Sequence, residues 1–174
     1  MTNLYTGFTT NEVIAITGVT NHSLKYWYDQ KIILPSKLPL GTGKRNARLY
    51  SFSQILEMKA IKSLRSKVSV RTIKALQTFL HKHFDDKSIA NKDLIAIETE
   101  GKCQIFWKED QEWFVQLTGK NAGQVTHAEL VIIPSLDRHL TEVIESVKAG
   151  DCETLDFDTF KQRIKGSKLL SLVA

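Results

Sequence analysis

Apolar positions in the first thirty residues fall into two short clusters with helical spacing. Val13, Ile14 and Ile16 make the first; Leu24, Trp27 and Tyr28, at i, i+3 and i+4, make the second. Each follows a residue able to cap a helix. Thr9 or Thr10 precedes the first, and Glu12 stands at capping-box distance from Thr9. Thr20 precedes the second. Gly18, between them, tolerates the left-handed backbone that ends helices, and Val19 is apolar within the turn. Two helices joined so tightly read as a helix-turn-helix, whose second helix presents its N-terminal residues to base edges. Asn21, His22, Ser23, Lys25 and Tyr26 lie in that position.

The pattern then shortens. Ile32, Ile33 and Leu34 read as a brief strand ended by Pro35. The segment 36–48 carries Pro39, Gly41 and Gly43 and reads as a loop, and 48–52 alternates as a returning strand. The product is a hairpin, or wing, with Lys44, Arg45 and Arg48 at or near its tip, placed to meet phosphates or the minor groove. Ser51 or Ser53 opens another helix, with the stripe Ile55, Met58, Ile61 and Leu64. Ser69 opens a fourth, with Ile73, Leu76, Phe79 and Leu80 on one face and Arg71 near its start; Ser69 and Arg71 are candidate phosphate contacts.

After Phe84 the period changes. Residues 85–93 are polar and read as a linker. Three strands, Leu94–Glu98, Cys103–Lys108 and Trp113–Leu117, form a meander, with a fourth expected over Ala128–Pro134. A helix follows from Ser135, with Leu136, Leu140, Val143, Ile144 and Val147 on one side and Gly150 at its end. A short helix is expected in 156–170, with a frayed end. The expected fold class is α+β. A winged helix-turn-helix domain (1–84) and a linker (85–93) precede a β-meander plus helix domain (94–150) suited to dimerisation, then a tail (151–174).

Charge sharpens this division. Of a net +5, residues 1–92 hold 15 Lys and Arg against 5 Asp and Glu, whereas 93–174 hold 9 against 14. A basic half joined to an acidic half is expected when one half meets a polyanion. No apolar run approaches the ~20 residues of a membrane span, and residues 1–10 lack the features of a signal peptide. A cytoplasmic protein of a cell without a nucleus is expected. Cys103 and Cys152 lack metal-ligand spacing; Cys103 is expected in a core and Cys152 in a loop with an accessible thiol. His81 and His83 stand two apart on a helix, too few to share a metal ion as an i, i+4 pair does. Trp107 and Trp113 flank one turn and suit sheet packing or dimer contacts better than an aromatic ligand pocket. No nucleophile elbow, P-loop or dinucleotide fingerprint is present in the sequence, so no enzyme activity, metal or cofactor is expected.

Residues 5–84 resemble the N-terminal DNA-binding domain of the MerR family of bacterial transcription regulators. The resemblance is carried by "FTTNEVIAITGVTNHSLKYWYDQKIILP", "RLYSFSQILEM" and "KVSVRTIKAL". Lys25, Tyr26 and Trp27 match the family's Arg-Tyr-Trp/Tyr triplet, and Arg48, Leu49 and Tyr50 its Arg-x-Tyr strand. Lys25 in place of Arg keeps the charge and loses the bidentate fork. The family's long coiled-coil helix is replaced here by strands after Phe84, and the tail resembles those of compact MerR-type repressors that accompany cyanobacterial CRISPR-associated transposons. The resemblance implies a homodimeric regulator of transcription, binding double-stranded DNA at an inverted repeat and acting as a repressor without a small-molecule effector. It also implies that the Tyr26 hydroxyl reaches the DNA backbone. An antitoxin-like module, whose acidic half binds a protein partner, is the alternative; a third, an excisionase-like architectural protein, fits poorly with so long a second half.

Overall fold

The computed structural model describes residues 7–38, 47–66, 68–83, 88–89, 94–99, 102–108, 113–116, 125–127 and 136–165. In chain order the elements are β1 (Phe8–Thr9), α1 (Thr10–Thr17), α2 (Asn21–Asp29), β2 (Ser36–Leu38), β3 (Ala47–Tyr50), α3 (Phe52–Arg65), α4 (Val70–His83), β4 (Leu94–Thr99), β5 (Lys102–Lys108), β6 (Trp113–Gln116), β7 (Val125–His127), α5 (Leu136–Ala149) and α6 (Phe157–Arg163). They group into two compact units, one of residues 1–58 with 140–174, the other of residues 59–139. The units therefore divide the chain within α3 and α5, not at the 85–93 linker expected from composition.

The first unit is built around the helix-turn-helix. Thr9 and Glu12 cap α1 reciprocally: the Glu12 N–H donates to Thr9 Oγ1 at 3.4 Å, and the Thr9 N–H donates to Glu12 Oε2 at 2.8 Å. Gly18 ends α1 at φ 62°, its N–H donating to Ile14 O at 2.9 Å. Thr20 caps α2 by accepting the Ser23 N–H at 3.1 Å. Val13, Ile16, Leu24 and Trp27 are buried.

α2 ends in a Schellman motif. The Ile32 N–H donates to Trp27 O at 2.8 Å and the Lys31 N–H to Tyr28 O at 2.9 Å. Ile32 and Ile33 then turn inward and are buried, whereas Leu34 is 57% exposed. The expected strand at 32–34 is thus a helix stop, and β2 begins after Pro35 instead of ending at it. Lys31 takes the left-handed position of that stop at φ 58°. The same motif ends α5, with bonds from the Asp151 N–H to Ser146 O and from the Gly150 N–H to Val147 O, but there glycine holds the position at φ 79°.

β2 and β3 pair antiparallel as Ser36↔Leu49, Lys37↔Arg48 and Leu38↔Ala47. β1, which sequence patterning missed, pairs with the other side of β3 as Phe8↔Tyr50 and Thr9↔Leu49. Gly7 permits the close approach, since a Cβ there would lie 2.9 Å from Leu49 Cβ. Ser51 and Gln54 cap α3 reciprocally. Ile55, Met58, Ile61 and Leu64 along α3 are all fully buried.

α6 belongs to this unit and is no trailing tail. Asp156 caps it, accepting the Thr159 N–H at 2.8 Å. That bond holds the Asp156 carboxyl below its ordinary pKa. Phe160, fully buried, lies 5.9 Å from the Phe8 ring and 5.7 Å, edge-on, from the Phe52 ring. Cys152, expected to be accessible, is buried, as are Val147 before it and Leu155 after it.

In the second unit, Ser69 caps α4 by accepting the Thr72 N–H at 3.2 Å, and Ile73, Leu76 and Leu80 are buried. β4 to β7 form an antiparallel sheet in chain order, with Leu94↔Trp107, Phe106↔Gln116 and Trp113↔His127 among its register pairs. Its fourth strand is Val125–His127, inside the expected loop; the strand expected over 128–134 lies outside the described residues.

Leu140, Val143 and Val147 of α5 are buried in the single chain. That stripe is therefore packed within the chain.

Lys31 sits where an L-residue is strained by roughly 1–2 kcal/mol. Lys31→Gly is expected to raise the unfolding free energy by about 0.5–1 kcal/mol after glycine's greater chain entropy is subtracted. Urea denaturation with an unchanged m-value would show it; a loss of stability would mean the left-handed turn is not formed.

Candidate nucleic-acid interface

The buried side of α2 leaves its other side in water. Asn21, His22 and Lys25 are exposed, Tyr26 is 42% exposed, and Ser23 is half-buried. These residues share the first two turns of one short helix. A polar, cationic face with a projecting aromatic hydroxyl can donate to phosphates and to base edges. Ser23 has a second duty: its hydroxyl lies 2.9 Å from that of Thr20, within the helix cap.

The wing stands on the same unit. Arg48 occupies β3, half-buried, and its guanidinium carbon lies 4.3 Å from the centroid of the Tyr28 ring on α2. A guanidinium so placed is attracted by the ring face. The Tyr28 ring on α2 thus braces Arg48. A second brace is Gln54, whose Nε2 donates to Leu34 O at 2.8 Å and ties the start of α3 to the chain entering β2. Its position three residues after Ser51 was readable as a capping spacing, but its reach to Leu34 was not. Lys44 and Arg45 lie outside the described residues.

Ser69 and Arg71 belong to the second unit, both exposed at the start of α4. The Ser69 hydroxyl also lies 3.0 Å from that of Thr72, so capping accounts for part of its role. His81 is exposed. Among the described residues no group of three His, Cys, Asp or Glu side chains gathers to hold a metal ion. Among them too, no helix is long and apolar enough to cross a membrane.

This order of elements — capped helix, glycine turn, exposed basic second helix, two-stranded wing, two further helices — has a family counterpart. Residues 8–82 match the MerR HTH family regulatory protein model. The match covers 75 of the 174 residues and ends within α4. The β4–β7 sheet, α5 and α6 lie beyond the MerR match. No curated protein matches the chain.

The stack of Arg48 on Tyr28 ties the wing to α2. A double-mutant cycle with Tyr28→Leu and Arg48→Met is expected to give a coupling of about 0.5–1 kcal/mol in unfolding free energy, the scale of a half-exposed cation–π contact. Strict additivity of the two substitutions would exclude the stack as a brace.

Proposed function

We propose that this protein is a sequence-specific DNA-binding repressor that acts as a homodimer on an inverted repeat, without a small-molecule effector. The observation that carries the reading is the exposed α2 face beside Arg48. Asn21, His22, Ser23, Lys25 and Tyr26 enter a major groove, where Lys25 meets a phosphate or a guanine edge and Tyr26 donates its hydroxyl to the backbone. Arg48, with Lys44 and Arg45 from the wing, neutralises phosphates beside that groove. Ser69 and Arg71 add a further phosphate contact at the α4 N-terminus, where the helix dipole favours an anion. The basic excess of residues 1–92 supports the same partner. Two copies are needed because one short helix reads only a few base pairs, and a two-fold dimer meets a palindrome with matched half-sites. Repression by occupying a promoter asks nothing more of the chain than this binding. The β4–β7 sheet is the candidate for the dimer contact, since the apolar stripe of α5 is buried.

Mobility shift on the DNA upstream of the protein's own gene, with an unrelated duplex as competitor, tests the reading. A complex that survives competition is expected. Lys25→Ala and Arg48→Ala are each expected to weaken it and to lower the slope of log K against log salt by about one per lost phosphate contact. Unaltered affinity and slope in both variants would remove α2 and the wing from the interface. A stable complex with a second protein, formed in place of the DNA complex, would favour the antitoxin-like alternative.

A further inference from the structure

Arg163, at the end of α6, reaches across the first unit to the start of the helix-turn-helix. Its Nη1 donates to Glu12 Oε1 and Oε2, each at 2.9 Å, and lies 3.4 Å from Gly7 O. Its guanidinium carbon is 5.6 Å from the centre of the Phe8 ring. Only 11% of the Arg163 side chain and 5% of the Glu12 side chain are exposed. Arg163 is therefore poorly placed to touch DNA itself, and the pair is little screened by salt.

The groups it holds lead to both arms of the interface. Phe8 begins β1, with Gly7 directly before it, and β1 pairs with β3 through Phe8↔Tyr50. β3 carries Arg48. Glu12 belongs to the first turn of α1, which passes through the Gly18 turn into α2. One guanidinium thus grips the root of the wing and the root of the reading helices together. Behind it Phe160 fills the space between Phe8 and Phe52 and keeps α6 in place.

We infer that Arg163 is a positioning residue for DNA recognition: it sets the wing and α2 at the separation that one duplex requires, and so makes α6 part of the DNA-reading unit. This rests on the DNA-binding reading above. A residue that served stability alone would lower the melting temperature and leave the affinity of the folded protein unchanged. A positioning residue alters the affinity for the cognate site in protein that is fully folded.

The test uses the full chain and a duplex selected by the wild-type protein from a random pool, with a scrambled duplex as control. Binding is measured well below the melting temperature of each variant, with folding checked by circular dichroism. Arg163→Met is expected to bind the selected duplex about tenfold more weakly, the order of coupling carried through packed elements, while its weak binding to the scrambled duplex is unchanged. Arg163→Lys, which keeps the charge on a shorter side chain without the guanidinium plane, is expected to recover part of the loss. If Arg163→Met does not fold, the double variant Glu12→Gln/Arg163→Met, which strands neither charge, carries the same comparison. Wild-type affinity for the selected duplex in the folded variant would overturn the inference and leave Arg163 a structural residue. Failure of the wild-type protein to select any duplex would overturn the DNA-binding reading instead, so the two failures are distinct.

Discussion

The buried carboxylate of Glu12 joins the start of the first helix, the strand before it and the C-terminal helix of the first unit. Its Oε2 accepts the Thr9 N–H at 2.8 Å and the Thr9 hydroxyl at 3.1 Å, and both oxygens accept Arg163 Nη1 at 2.9 Å. A carboxylate removed from water must recover its lost hydration through such bonds. Here it does so from three donors: a backbone amide, a hydroxyl and a guanidinium. The pair need not add net stability over an apolar replacement, but breaking it by removing one partner typically costs roughly 3–5 kcal/mol, because the other is left charged and buried. Helix start, strand start and C-terminal helix therefore stand or fall together.

Around that anchor the packing divides each short helix into a dry side and a wet one. Val13 and Ile16 of α1 and Leu24 and Trp27 of α2 supply the dry sides. Nine residues of α2 are too few to form a stable isolated helix in water. The exposed face of Asn21, His22, Lys25 and Tyr26 thus depends on burial behind it and on caps at both ends. The C-terminal cap is the costly one, since Lys31 occupies a backbone position that glycine takes at the end of α5.

Local chemistry made much of this legible before any coordinates. Thr9, Glu12, Gly18, Thr20 and Ser51 act at their helix ends because a cap needs only residues within a few positions of one another. The α3 stripe was legible for the same reason. The contacts missed are those between distant parts of the chain. Arg163 and Glu12 are separated by 151 positions, and no periodicity joins them. β1 is only two residues long and carries no alternation to detect. Ile32–Leu34 misled because a run of apolar residues beside a proline suits a strand as well as a helix stop; the hydrogen bonds from Lys31 and Ile32 back to α2 decide between them. In the candidate interface, the exposed residues of α2 followed from helical spacing, whereas the stack of Arg48 on Tyr28 required knowing the turn that brings β3 back to α2.

The placement of α6 also changes how the charge asymmetry is to be understood. Read along the chain, an acidic half follows a basic half, as though two domains had opposite partners. Read in space, residues 140–165 share a compact unit with α1, α2 and the wing. Arg163 is a cation of the acidic half spent on a carboxylate of the basic half. Lys148 and Lys161 each lie 5.0 Å from the Phe157 ring on that same unit. The acidic excess of the second half therefore does not mark a separate body that could be removed while leaving a complete winged helix. A chain cut at the end of the MerR match would expose Phe8 and Phe52 where Phe160 now packs, and would leave Glu12 buried without its guanidinium. The MerR match ends at residue 82 in sequence, but the compact unit that holds α2 and the wing also includes α6.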